Sequence, residues 1–149
     1  MSIYAVAHIV HLFCAIAFVG GVFFEMLVLS VMHTKRVSRE ARREVEKAMS
    51  YRAVRVMPPV VIVLFLSGLV MVFERYVPVF HQPFASSFGA MLFLKVLLAF
   101  SVLLHFAVAV VKMARGTLTV GWSKYIHVVV FTYMLLIVFL AKAMFYFNW

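Results

Sequence analysis

The chain is short of charge, shorter still of acid, and has one cysteine. Only 13% of its 149 residues are charged, and five are acidic. A water-soluble domain of this size needs far more polar surface, so that class is excluded. The lone Cys14 excludes an internal disulfide framework and a Cys-x-x-Cys zinc site. The ten methionines form no Met-x-Met or Met-x-x-Met cluster, which weakens a copper-relay reading. There is no low-complexity segment and no clear internal repeat.

What the chain has is hydrophobicity, at 66% of its residues. It falls in four runs, at 3–32, 57–73, 88–111 and 122–147. Each approaches or exceeds the roughly 20 residues that cross a bilayer as a helix. The expectation is an all-α integral membrane four-helix bundle, a single domain over 1–149. The start, Met1-Ser2-Ile3-Tyr4, has no basic region, and the run after it is too long for a signal peptide. The first run is therefore expected to be a permanent span.

Net charge is +9, but its placement argues against nucleic acid. Segment 33–55 holds eight of the fourteen basic residues, and loop 112–124 adds Lys112, Arg115 and Lys124. Loop 74–87 has only Arg75 and Glu74. Positive charge marks cytoplasmic loops, which puts both termini outside, in a bacterial cytoplasmic (inner) membrane. The basic loop, 33–56, is expected to meet anionic lipid headgroups. Ser38 is a helix N-cap candidate, and the apolar spacing of Val37, Ala41, Val45, Ala48 and Met49 predicts a short interfacial helix. That helix runs towards Pro58-Pro59, which is expected to start or kink the second span. Pro78, His81 and Pro83 predict an irregular outer connection. The Gly20-Gly21 pair allows close helix approach.

Ionisable groups inside a span are costly and tend to mark a site. His11, Glu25, Lys95, His105 and His127 all lie within the apolar runs. At 1.5 Å per residue, His11 is roughly 12 Å along the first span and Lys95 roughly 10 Å along the third. His105 lies roughly 25 Å along the third span, and His127 about 7 Å into the fourth. His11, Lys95 and Lys142 thus form an outer layer, and His105 and His127 an inner one. Two histidines at similar depth on antiparallel helices suit a bis-His haem. The stripe His11, Ala15, Phe18, Val22, Glu25 and Leu29 is expected to face the bundle, where Glu25 is a proton-relay candidate. Arg52 and Arg55, spaced i, i+3, are candidates for haem propionates or lipid phosphate. His8 reads as an interface residue, and His33 and His81 as solvated. Lys142 reads as a snorkelling residue.

The motifs resemble those of a known superfamily. His11 with Gly21 and Phe23, then Tyr51-Arg52, Met57-Pro58 and Gly68-Leu69, look like the HemJ-type protoporphyrinogen oxidases. Lys95 matches that family's intramembrane lysine, and His105 lies close to its later histidine. The run from His11 through Phe18 to Gly20-Gly21 is also similar to CopD-type proteins. The resemblance implies a four-helix protein that binds b-type haem, with His11 and Lys95 as the functional pair. It also implies porphyrinogen oxidation for one relative and copper uptake for the other. Two positions depart from the pattern. Phe18 stands where the family usually carries tryptophan, and Ile126-His127-Val128 replaces a polar Asn-Glu pair.

The leading expectation is a haem b redox protein that passes electrons through a His105–His127 haem. A second haem or a substrate site would lie near His11 and Lys95. The electron partner would be a quinone or another redox protein, and an exposed bundle this small is expected to dimerise. The alternatives are a porphyrinogen oxidase that works through Lys95, copper handling by His8, His11 and Met26 or Met91, and a purely structural subunit.

Overall fold

The computed structural model describes residues 1–147. All the regular structure among them is helical. Helices over Ile3–His33, Arg39–His81, Ser87–Ala114 and Gly121–Ala143 are long and apolar enough to cross a membrane. Large apolar side chains point outward on each of them, among them Phe13, Ile62, Leu104 and Phe139. That surface suits hydrocarbon, whereas water would penalise it. The chain divides into two compact units, 1–69 and 70 onward.

In the first unit, Ser2 caps α1 (Ile3–Phe23) by accepting from the Ala5 amide at 3.3 Å. The helix then loosens into a π-helical turn, Phe24–Val28, and tightens into a 3₁₀ turn, Leu29–His33. This end is held by Arg42, whose Nε donates to the Met32 carbonyl at 2.6 Å. A cation on the last carbonyls of a helix offsets their partial negative charge. Ser38 caps α2 (Arg39–Met71) by accepting from the Ala41 amide at 3.2 Å, as its position predicted.

The expected interfacial helix is not a separate element. α2 is one helix of 33 residues that includes both Pro58 and Pro59. Proline's fixed φ fits a helix; its cost is a missing donor to the carbonyl four residues back. Here those carbonyls belong to Val54 and Arg55, and Arg55 is exposed. Of the glycine pair, only Gly21 lies against α2, where an added Cβ would come 3.2 Å from Met57 Cε; Gly20 has nothing within 4 Å.

The second unit takes in the last two residues of α2 and continues into a π-helical turn, Val72–Tyr76, and the short α3 (Val77–His81). The connection expected to be irregular is thus mostly helical. Pro78 sits in the first turn of α3, where a missing amide costs nothing. A 3₁₀ turn, Pro83–Ala85, leads to Ser86, which caps α4 (Ser87–Ala114) by accepting from the Gly89 amide at 3.1 Å. A β-carbon on Gly89 would lie 2.5 Å from the Pro83 carbonyl oxygen. Backbone on both sides leaves little room to yield. Gly89→Ala is therefore expected to lower stability by about 2 kcal/mol, read as a drop in thermal midpoint in detergent.

α4 and α5 (Val120–Ala143) pack together, with Leu92 and Val102 buried on α4 and Ile126, Val130, Met134 and Leu140 on α5. The reversal between them needs a left-handed residue, and Gly116 supplies it at φ 66°. The Thr117 amide then closes onto the Lys112 carbonyl at 2.9 Å. Thr119 caps α5 through the Trp122 amide at 3.3 Å. α5 ends at Ala143, short of the expected 147, because the amides of Phe145, Tyr146 and Phe147 turn back onto the Lys142 and Ala143 carbonyls.

Candidate functional site

The most fully built position in the first unit is His11. Its Nδ1 lies 2.9 Å from the Leu64 carbonyl and 3.3 Å from Ser67 Oγ, both on α2. A carbonyl only accepts, so Nδ1 must carry the hydrogen. In the neutral ring the lone pair is then on Nε2. Ser67 is buried, and its hydroxyl is within reach of the Val63 carbonyl at 2.7 Å. Gly68 completes the seat: an added Cβ would come 3.1 Å from His11 Cε1 and 3.3 Å from Nδ1. The ring can come this close to α2 because residue 68 has no side chain.

The expected stripe on α1 is kept through Phe18, which is buried, and lost at Glu25, which is exposed. A π-helical turn begins just before it, at Phe24. More residues per turn means less rotation per residue, so a stripe drawn at a steady 100° drifts off its face.

In the second unit, His105 and His127 repeat one arrangement. His105 Nδ1 donates to the Ser101 carbonyl at 2.7 Å, and His127 Nδ1 to the Ser123 carbonyl at 2.6 Å. Each partner is four residues back on the same helix. Both rings therefore carry hydrogen on Nδ1, as His11 does. His105 is flanked on α5 by Tyr125 and Tyr133, with ring centroids at 6.2 and 6.1 Å. His127 lies roughly 160° around α5 from the midpoint of those two tyrosines. The two histidines are thus associated with different sides of α5.

Lys95 is half-buried on α4 and makes no hydrogen bond or ion pair among the described residues. At seven residues' separation it lies only about 20° around the helix from buried Val102, on the side packed against α5. No protein-family model, curated protein or solved structure matches the chain.

The remaining candidates sit at the periphery. Arg52 and Arg55 are exposed on α2, and Arg55 stacks over the Tyr51 ring at 3.7 Å. Exposed His8 meets the Tyr4 ring at 5.9 Å. His33 approaches Glu46 at 3.9 Å, with both side chains open to solvent. His81 ends α3 and Lys142 lies in the last turn of α5, both exposed. Among the described residues, no three His, Cys, Asp or Glu side chains gather into a group that could hold a metal ion.

Sequence reasoning missed Ser67, Gly68 as a seat for the His11 ring, and the two tyrosines. The tyrosines were findable, since Tyr125 and Tyr133 are eight residues apart and share a broad helix face. Ser67 gave no signal, because a serine inside an apolar run commonly just bonds back to its own helix.

Proposed function

We propose that this chain is a b-type haem protein of a bacterial cytoplasmic membrane, with both termini outside, and that it passes electrons. One observation carries the reading. Three of the histidines in the spans, His11, His105 and His127, each donate Nδ1–H to a backbone carbonyl, at 2.6 to 2.9 Å. That hydrogen bond fixes the tautomer and turns Nε2, the nitrogen with the lone pair, into the ligand atom. His11, His105 and His127 therefore have the donor chemistry that haem iron requires. Haem would supply a one-electron ferric–ferrous couple, whose potential the axial ligand and burial set. The protein's part is to hold each imidazole, exclude water with its apolar helices and keep the ligand nitrogen unprotonated. His11 leads, because its brace comes from a different helix and so fixes one helix against another. The resemblance to haem-binding four-helix proteins supports the same reading, as does the basic loop for the orientation.

The test is a visible spectrum of the detergent-purified chain, expressed with haem supplied, air-oxidised and then reduced with dithionite. The expected result is a sharp low-spin b-type α band, weakened or lost in His105→Ala or His127→Ala if either is an axial ligand. A featureless spectrum of the unaltered protein overturns the proposal and makes cuprous-ion binding the next measurement.

Lys95 favours a second reading. An ammonium on the packed side of a span is suited to holding an anionic or tetrapyrrole substrate, as in the porphyrinogen oxidases the motifs resemble.

A further inference from the structure

The second unit carries cations that it cannot neutralise. From Arg75 to the end of the chain there is no aspartate or glutamate. The unit's one acid, Glu74, precedes α3. It is separated from the end of α4 by a helix about 42 Å long. Lys112, Arg115 and Lys124 cluster at that far end. None of them makes an ion pair among the described residues.

Two of these cations line a recess of about 390 Å³. Its walls are Ala107, Val108, Val111, Lys112, Arg115 and Thr117. The first three are aliphatic and come from the membrane-crossing part of α4; the last three are polar and belong to its end. The lining thus runs from an apolar track to a doubly basic mouth. The mouth is held in shape: Lys112 Nζ sits over the Trp122 ring at 4.7 Å, and the Thr117 amide is bonded to the Lys112 carbonyl. A lysine that stacks on an interfacial tryptophan is already oriented, so less side-chain freedom is lost when an anion arrives.

We propose that this recess is a binding site for one anionic phospholipid of the leaflet that meets the end of α4. The phosphate and its anionic headgroup would lie against Lys112 and Arg115, and an acyl chain along Ala107, Val108 and Val111. The observation that selects a lipid over a free anion is the continuous aliphatic wall, which a small anion would leave unused. The observation that selects an anionic lipid over a zwitterionic one is that the second unit has no aspartate or glutamate after Glu74 to balance the two cations.

Native mass spectrometry of the full chain, titrated with phosphatidylglycerol and with phosphatidylcholine of the same acyl chains, tests this. Phosphatidylglycerol is expected to bind about tenfold more tightly. Lys112→Gln with Arg115→Gln is expected to reduce that preference to about twofold or less. The control, Arg75→Gln with Lys142→Gln, removes the same charge from exposed positions at the other end of the second unit's helices and is expected to keep the preference. Inorganic phosphate at roughly millimolar concentration is expected not to displace the lipid, since it lacks the apolar half of the contact. Equal binding of the two lipids overturns the proposal. So does an equal loss in the control, which would make the effect one of net charge. Displacement by phosphate also overturns it, by reducing the recess to an anion site.

Discussion

Replacing His11 with alanine is expected to remove the reduced-state α band entirely while costing only about 1 kcal/mol of stability, the scale of one interhelical hydrogen bond within a membrane. The split between the two readouts carries the argument. If His11 served only to tie α1 to α2, its loss would show in the thermal midpoint and leave any chromophore untouched. The Leu64 carbonyl can still accept from its own helix, and Ser67 Oγ is 2.9 Å away, so no buried acceptor is stranded by the change. Two neighbours sharpen the test. Ser67→Ala removes the weaker of the two Nδ1 partners, at 3.3 Å, and is expected to keep the band with a shifted reduction potential. Gly68→Ala brings a methyl group to 3.1 Å from the ring and must push it, so haem occupancy is expected to fall. An intact band in His11→Ala, with the midpoint lowered, assigns His11 a structural role and leaves His105 and His127 as the ligands to test.

The spans were legible in the sequence because a bilayer imposes one strong rule: some twenty apolar residues in a helix. The N-cap Ser38 follows equally local chemistry, and the structure uses it; Ser2, Ser86 and Thr119 cap their helices in the same way but were not singled out in the sequence. What the sequence did not convey is where a helix stays a helix. Pro58-Pro59 read as the start or a kink of the second span, and the segment around Pro78 as an irregular connection; α2 instead begins well before the first and continues through it, and α3 begins next to the second. Proline forbids a donor, not a φ, and a helix with enough apolar contact tolerates the missing bonds. Glu25 is exposed in a π-helical turn, where the pitch departs from the steady 100° that the sequence stripe assumes. At the site, the histidines were visible as polar residues in apolar runs, but their partners were not. Leu64 acts through its carbonyl and Gly68 through a missing side chain, and neither contribution is written in residue type.

Lys95→Met is expected to make the protein more stable and, under the oxidase reading, inactive. Methionine fills a similar volume without a charge. A charged lysine within a span costs on the order of 2 kcal/mol, so the substitution is expected to raise the thermal midpoint. A surface lysine that snorkels to the headgroups has already escaped most of that cost, and its replacement would change little. Lys95 lies on the side of α4 that carries buried Val102, and it has no described hydrogen-bond or ion-pair partner to offset the burial. A residue kept at a cost to stability is a candidate for work on a ligand. The accompanying assay is protoporphyrin formation from protoporphyrinogen by membranes that contain the variant at normal level. Loss of product with a raised midpoint supports a role for Lys95 at a substrate, and recovery in Lys95→Arg would assign that role to the positive charge. Unchanged product formation, or a protein without this activity before any change, removes the oxidase reading and leaves electron transfer through histidine-held haem as the function to test.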